Sequence, residues 1–357
     1  MVERSNAWAS VSTKASMDAP IPASQQPLVA IIVTFNRLAN LRTTISAYSQ
    51  ESVDQILIVD NASSDGTLAW LQTQKLQNPA LEVLRLERNV GGAGGFEAGL
   101  RWVDEKLGGR GWVVLHDDDA YPTPGTTARF RQRLGQGMYA SYGAVAAAVL
   151  TPTGQPADIN RPILNIFHHP LTCWRRVRGT LQGLRDLYHV SNRDLLNGES
   201  LYRVDAASFV GLYLQLENLP AKDQGRYPQG ALFIYGDDTL YTANLVQRGI
   251  AIALDASLRY IHDTNTGYEQ GVLRPAWKHF YISRNSLAVY CSMSAWAGPF
   301  LYLQAMLRRL KAILSTGDRA LRRQSARGYW LGLADALRGR RFRSHQEVVQ
   351  YVERGSR

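Results

Sequence analysis

From residue 28 onward, apolar and polar positions fall into short, repeated units. "LVAIIVTF" (28–35) is an unbroken apolar run of strand length, followed by Asn36–Arg37 and a helical stretch near 38–50. "QILIVDNASSDGT" repeats the scheme, with a strand over 55–59 and a polar turn at its carboxyl end, and "TLAWLQTQKL" reads as the next helix. A third strand, "LEVLRLE" (81–87), leads into "RNVGGAGGFEAGLRWV", and a fourth is "WVVLHD". Strands alternating with helices of this length predict a parallel α/β sheet with right-handed crossovers.

Farther along, "VDAASFVGLYLQL" (204–216) resumes strand character, and "GALFIYGDDTLYTANLVQRG" runs from an apolar segment through an acidic turn into a helix. "IAIALDASLRYIHD" reads as a strand ending at a histidine, and from about Trp277 the pattern is mainly helical. The stretch 152–200, with its prolines, His168–His169 and scattered arginines, predicts a long loop or small subdomain on the acceptor side of a site. Residues 1–27, rich in Ser, Ala and Pro, predict a flexible leader. The expected organisation is therefore leader 1–27, α/β domain 28–276 and helical region 277–357, with no internal repeat.

Composition adds bounds. The chain has 357 residues and 45% hydrophobic content, which suits an ordinary soluble core. Cys173 and Cys291 lack CxxC spacing and point to neither a disulfide framework nor zinc, so a reducing compartment is the default. No charged stretch followed by an apolar region marks a secretory signal. The most apolar long window, 286–307, contains Gly298, Pro299 and several serines, and a spanning helix needs about twenty cleanly apolar residues. A buried or interfacial element is expected there. From Met306 to Arg357 there are 13 Lys or Arg against 4 Asp or Glu, a surplus of 9 within a net charge of +10. Such a tail suits nucleic acid, the anionic inner face of a membrane, or simply a solvated helix face.

Candidate chemistry gathers at four strand ends: Thr34–Arg37, Asp60–Asp65, Asn89–Gly95 and Asp117–Asp119. In parallel α/β sheets ligands sit beyond the carboxyl ends of the strands, so the coincidence outweighs any single motif. The glycines of "RNVGGAGGF", Gly91 and Gly92 among them, follow the third strand, where a dinucleotide fingerprint does not belong. They allow close backbone approach and open a helix N-terminus to an anion, or they serve a tight turn and close helix packing. Asp60 and Asn61 suit hydrogen bonds to a base or ribose, whereas Asp65 or Ser64 could cap the following helix. Asp117 and Asp119, in D-x-D spacing, can bind a hard divalent cation that offsets their repulsion and bridges to a diphosphate. Asp237 and Asp238 open a helix, where the macrodipole favours carboxylates, and a carboxylate base is the functional alternative. His262 is a candidate third metal ligand or a structural histidine.

Taken in order, "VAIIVTFNR", "ILIVDNASSDGT", "NVGGAGGF", "HDDDA", "FIYGDDTLYTANLVQRG", "YIHD" and "HFYISRN" resemble glycosyltransferase family 2, over residues 28 to about 286. The resemblance implies the GT-A fold, a Rossmann-like, mostly parallel sheet flanked by helices, with the basic helical region after it. Within the family the motifs are most similar to bacterial galactofuranosyltransferases and rhamnosyltransferases. That implies inverting, metal-dependent (Mn2+ or Mg2+) transfer of galactofuranose from a UDP-sugar donor. By position, Asp117, Asp119 and His262 match metal ligands, Asp238 (or Asp237 of the pair) the base, and Asp60 the nucleotide-binding aspartate. Arg37 and Asn89 match positions near the donor, with Thr34, Asn61, Gly91, Gly92 and Asp118 expected beside them. Relatives carry Glu-Asp or Trp-Asp-Asp where this chain has Gly236–Asp237–Asp238, which leaves the choice of base open.

The expected acceptor is a growing, lipid-linked bacterial surface glycan. The basic C-terminal region, with Trp296, Phe300, Tyr329 and Trp330, is expected on the inner face of the cytoplasmic membrane, making a cytoplasmic, peripheral protein. Nucleic acid is not an expected partner, and an oligomer is compatible with the sequence. The competing readings are rhamnose transfer from a dTDP donor and a non-catalytic nucleotide- or nucleic-acid-binding protein.

Overall fold

Strands β1 (Leu28–Thr34), β2 (Gln55–Asp60), β3 (Leu81–Arg85) and β4 (Trp112–Asp117) form a parallel sheet in the order β3-β2-β1-β4, with helices α1 (Leu38–Tyr48), α2 (Thr67–Gln77) and α3 (Gly91–Leu107) as crossovers. The computed structural model describes residues 22–164, 178, 188–199, 201–263, 268–269, 272–340 and 342–354. The unbroken apolar runs have a simple cause. Alternate side chains point to opposite faces of a strand, and here both faces are covered. Val29, Ile31, Val33, Leu57 and Val59 pack with Phe96, Leu100 and Val103 of α3, while Leu28, Ala30, Ile32, Ile56 and Ile58 pack with Leu41, Tyr48 and Leu71 of α1 and α2. Gly99 lets α3 lie close to the sheet, since a Cβ there would come within 2.7 Å of Ile31 and 2.9 Å of Val59.

Beyond β4 the topology changes. After β5 (Ala120–Pro122) and α4 (Thr126–Gly135) come β6 (Ala144–Leu150), α5 (Asn192–Leu196), β7 (Leu201–Val204) and β8 (Leu212–Gln215), then α6 (Asp237–Gln247) and β9 (Ile252–His262). The order continues β4-β8-β6-β9-β5, with β7 also on β9. Of the sheet's pairings among the described residues, β4–β8, β6–β8, β5–β9 and β7–β9 are antiparallel, and only β6–β9 in this half is parallel. The expected α/β sheet flanked by helices is present, but its mostly parallel character holds only through β4. The stretch 204–216 divides into β7, an irregular turn and β8. "GALFIY" is not a strand: a 3-10 turn (Gly230–Leu232) passes into alternating left-handed residues at Phe233 and Tyr235.

A small hairpin, β10 (Tyr268–Glu269) with β11 (Val272–Leu273), leads to the helices α7 (Lys278–Met293), α8 (Gly298–Leu314), α9 (Arg319–Leu337) and α10 (His345–Glu353). The apolar window 286–307 is thus split by a break between α7 and α8. No helix among the described residues is long and apolar enough to cross a membrane. Tyr329 is buried between α8 and α9 beside Tyr302 and Met306, not on the surface with Trp296, Phe300 and Trp330. Cys291 is a free thiol; Cys173, His168–His169, most of the 152–200 stretch and residues 1–21 of the leader lie outside the described residues.

Candidate active site

One cavity of about 1020 Å³ opens at the carboxyl ends of β1, β2 and β4. It is lined by Thr34, Arg37, Asn61, Asn89, Gly91, Gly92, Asp117, Asp118, Asp119, Asp237, Asp238 and His262, so every expected site residue but one meets there. The exception is Asp60. Its carboxylate is fully buried, with Oδ1 accepting from the Ser63 N–H at 2.9 Å and Oδ2 paired with Arg85. That pairing holds the end of β2 and leaves no carboxylate surface facing the cavity. Asp65 serves the start of α2, where Oδ1 accepts from the Thr67 N–H at 3.1 Å.

The remaining polar residues near β2 shape the wall. Asn61 donates from Nδ2 to the Gly91 carbonyl at 2.8 Å and accepts at Oδ1 from the Val90 N–H at 2.9 Å, tying the β2 end to the start of α3. Asn89 Oδ1 accepts from the Gly91 N–H at 2.8 Å. Gly91 has φ +75°, and a Cβ there would fall 2.1 Å from the Phe233 carbonyl oxygen, so any other residue would displace the turn facing it.

The acidic triplet is distributed by backbone geometry. β1 runs beside β4 with Val33 opposite Asp117, which places Thr34 next to Asp118; Thr34 Oγ1 donates to Asp118 Oδ2 at 2.7 Å. β5 pairs antiparallel with β9, setting His262 opposite Ala120 and therefore against Asp119. One donor atom each from Asp117, Asp119 and His262 lies within 4.8 Å of the others. His262 Nδ1 sits 2.7 Å from Asn160 Oδ1, whose amide nitrogen donates to Ser208 Oγ. His262 Nε2 lies 3.2 Å from Asp119 Oδ1, placed to donate to that carboxylate when protonated and to turn its lone pair to the same spot when not. Two carboxylates with one imidazole form a ligand set suited to a divalent ion.

The charge balance points the same way. Burial, then repulsion from Asp119, pushes the Asp117 pKa up to about 6. Burial raises that of Asp118 to about 7 despite Arg37 and the Thr34 hydrogen bond. Burial also opposes ionisation of Asp119, but hydrogen bonding and charge from His262, then Arg37, hold its pKa below the usual value. Arg37 Nη1 reaches Asp119 Oδ2 at 2.5 Å and Asp118 Oδ1 at 3.5 Å. One guanidinium leaves three clustered carboxylates short of positive charge, the deficit a cation would fill. Behind them, His116 Nε2 contacts Tyr48 Oη at 2.7 Å, and burial lowers the His116 pKa to about 4.

The acidic pair arrives on a strained turn. Phe233 and Tyr235 have φ of +67° and +68°, a region costly for non-glycine residues, and Gly236 follows at +78° before α6 begins at Asp237. Two α7 side chains hold this turn. Asn285 Nδ2 donates to the carbonyls of Leu232, Ile234 and Tyr235 at 2.9–3.0 Å, and Arg284 Nη2 to those of Ala231 and Leu232 at 2.9 and 3.0 Å. Burial, with the Asp238 charge, raises the Asp237 pKa well above the ordinary value; burial also raises that of Asp238 against hydrogen bonds from Thr239. The pair also lies within electrostatic reach of Asp117.

Several contributors were not assigned from the sequence. Asn160 sits in the irregular stretch, where no pattern marks it. Arg284 and Asn285 belong to "HFYISRN", but nothing local shows that they bind carbonyls fifty residues earlier. Lys278 lines the cavity, and burial, then the Arg37 charge, lowers its pKa. Phe233 stacks on His345 with ring centroids 4.3 Å apart, and Trp277 meets the same imidazole edge-on at 4.6 Å, forming an aromatic rim.

A cation-type triad at the carboxyl edge of this sheet, facing an acidic pair across one cavity, is the GT-A architecture. Residues 29–203 match the model of Glycosyl transferase family 2. It is similar to Galactofuranosyltransferase GlfT1 of Mycolicibacterium smegmatis, 24% identical over 245 residues that span 66% of this chain and 71% of that protein. It is also similar to Undecaprenyl-phosphate mannosyltransferase of Micrococcus luteus, 34% identical over 94 residues. That match spans 26% of this chain and little more than a third, 37%, of the relative's length. A mannosyltransferase from Pyrobaculum calidifontis, solved with GDP-Man and Mn2+, shares the fold, with TM-score 0.51, 15% identity and 91% of each chain covered.

Proposed function

We propose that this protein is an inverting glycosyltransferase that moves galactofuranose from UDP-galactofuranose to a hydroxyl of a lipid-linked surface glycan. The observation that carries the reading is the meeting, in one cavity, of the Asp117–Asp119–His262 triad with the Asp237–Asp238 pair. Asp117, Asp119 and His262 would hold a Mn2+ or Mg2+ ion, with Asn160 fixing the imidazole. When bound, that ion supplies Lewis-acid stabilisation of negative charge on the departing diphosphate. Arg37 and Lys278 add positive charge on the same side. Thr34 anchors Asp118, and Asn61, Asn89 and the glycines 91 and 92 shape the wall against which the nucleotide lies.

Asp238 takes the proton from the acceptor hydroxyl, whose oxygen attacks the anomeric carbon from the face opposite UDP. Its raised pKa brings the carboxylate nearer the working pH, which suits a general base. The aromatic rim of Phe233, Trp277 and His345 offers flat apolar faces for an acceptor sugar. Likeness to a galactofuranosyltransferase supports the donor, and likeness to an enzyme named for undecaprenyl phosphate supports a lipid-linked acceptor at the inner membrane face. Rhamnose transfer from dTDP-rhamnose is the second reading, favoured by the motifs the two groups share.

The test is donor hydrolysis and transfer with UDP-galactofuranose and dTDP-rhamnose side by side, each with Mn2+, Mg2+ or chelator. Metal-dependent UDP release from the first donor is expected. Turnover of dTDP-rhamnose alone would select the second reading, and no nucleotide release from either would defeat both.

A further inference from the structure

Helices α8 and α9 carry an apolar surface that nothing in the cavity chemistry uses. At 100° per residue, Phe300, Leu303, Leu307 and Leu314 of α8 fall within about 60° of one another. All four are exposed, at 57–59%. Exposed Lys311 borders this stripe. On α9, exposed Arg319, Arg323, Trp330 and Leu337 fall within about 40° of each other by the same rule. Trp296, at the turn into α8, is 68% exposed.

The buried contacts fix where these stripes point. Tyr302, Met306 and Ile313 of α8 pack on Tyr329 of α9. Leu301 of α8 packs on Met293 of α7, and Gly332 of α9 abuts Phe280 of α7. Each helix thus meets α7 on one side and shows its stripe on the other, so both stripes lie on the face of the α8–α9 pair turned away from α7. Gln304, Ala305 and Arg308, on the flank of α8 next to its stripe, line the cavity.

Its charge is one-sided. From Gly298 to Arg340 the chain has nine Lys or Arg and two acidic residues, Asp318 and Asp335. Asp335 is buried and paired with Arg343, so it offsets nothing outside. Aromatic and leucine side chains ringed by lysine and arginine match the headgroup and acyl boundary of an anionic bilayer.

We infer that this face seats on an anionic lipid membrane, so that an acceptor enters the cavity past Arg308 from the bilayer side. The inference rests on the reading of the acceptor as membrane-borne, and its test is separable from the chemistry. The whole protein is floated, without donor or acceptor, on vesicles of pure phosphatidylcholine and of phosphatidylcholine with phosphatidylglycerol. Binding to the anionic vesicles is expected, weakening with salt and accompanied by a blue shift of Trp296 and Trp330 fluorescence. Phe300→Glu/Leu307→Glu should lower the partition coefficient by about tenfold or more, with unchanged circular dichroism and donor hydrolysis, since neither residue lines the cavity. Arg319→Glu/Arg323→Glu should weaken anionic binding alone. Wild-type binding by the Phe300/Leu307 variant overturns the inference. So does a dimer in sedimentation that the same variant dissociates, because a second copy then covers the face. A protein that floats but releases no nucleotide sustains the membrane face and overturns the transfer reading.

Discussion

The parallel half of the sheet and the half after β4 reach the same cavity by different routes. In β1–β4, each functional residue stands at the end of its own strand, a few residues from the apolar run that positions it. After β4, His262 meets Asp119 through antiparallel pairing across 143 residues, and the Asp237–Asp238 turn is held by side chains some fifty residues later. The first half presents its groups as a consequence of strand order. The second half brings in His262 and the Asp237–Asp238 pair by long-range contact.

That contrast is open to attack, first at the base. Asp238→Asn should lower turnover by about 10²–10⁴-fold while UDP still binds, read by steady-state kinetics and calorimetry. A larger loss from Asp237→Asn would move the base one residue. Next, chelation should stop transfer and added Mn2+ or Mg2+ restore it. Asn160→Ala, which strips His262 of its Nδ1 partner, should raise the half-activating metal concentration about 10–100-fold. An unchanged metal requirement would remove Asn160 from the site.

Asn285→Ala removes the side-chain donor of the Ile234 and Tyr235 carbonyls, while Leu232 keeps Arg284, and is expected to cost about 1–3 kcal/mol of stability. It should lower kcat while the donor KM stays constant. A rise in KM alone would give the turn a donor-binding role. In the parallel half, Asp60→Asn should cost about 1–2 kcal/mol through its lost pairing with Arg85 and leave the donor KM unchanged. The opposite pattern would return Asp60 to the donor site.

A separate effect concerns acid stability. Burial, then the Arg309 charge, lowers the His279 pKa from 6.5 to about 3. The unfolded chain therefore binds that proton more readily, and the residue's contribution is full above pH 6.5 and lost as pH falls toward 3. His279→Gln keeps an acceptor for the Leu273 N–H, so the melting-temperature difference between wild type and variant should change only across that window.

Much of the parallel half could be read directly, because strands covered on both faces appear as continuous apolar runs and their polar ends stand out. Past β4 the reading weakened for identifiable reasons. "GALFIY" has strand composition, yet Asn285 and Arg284 bind its carbonyls in a non-extended turn. The 204–216 run concealed a break between two strands. Asn160 serves His262 from a stretch with no periodicity, and Asp60 looked like its neighbour Asn61 until Arg85 claimed it.

Local chemistry settled which residues crowd the strand ends, that Asp117 and Asp119 need a counter-charge, and that Asp237–Asp238 opens a helix. Those properties depend on spacing along the chain and on charge. Tertiary structure alone decided that His262 completes the triad, that Asp60 turns inward, that Tyr329 is buried while Trp330 is exposed, and that the apolar stripes of α8 and α9 share an outer face. The reason is that strand register and helix packing depend on contacts between segments up to a hundred or more residues apart, and the local pattern of apolar and polar positions does not specify them.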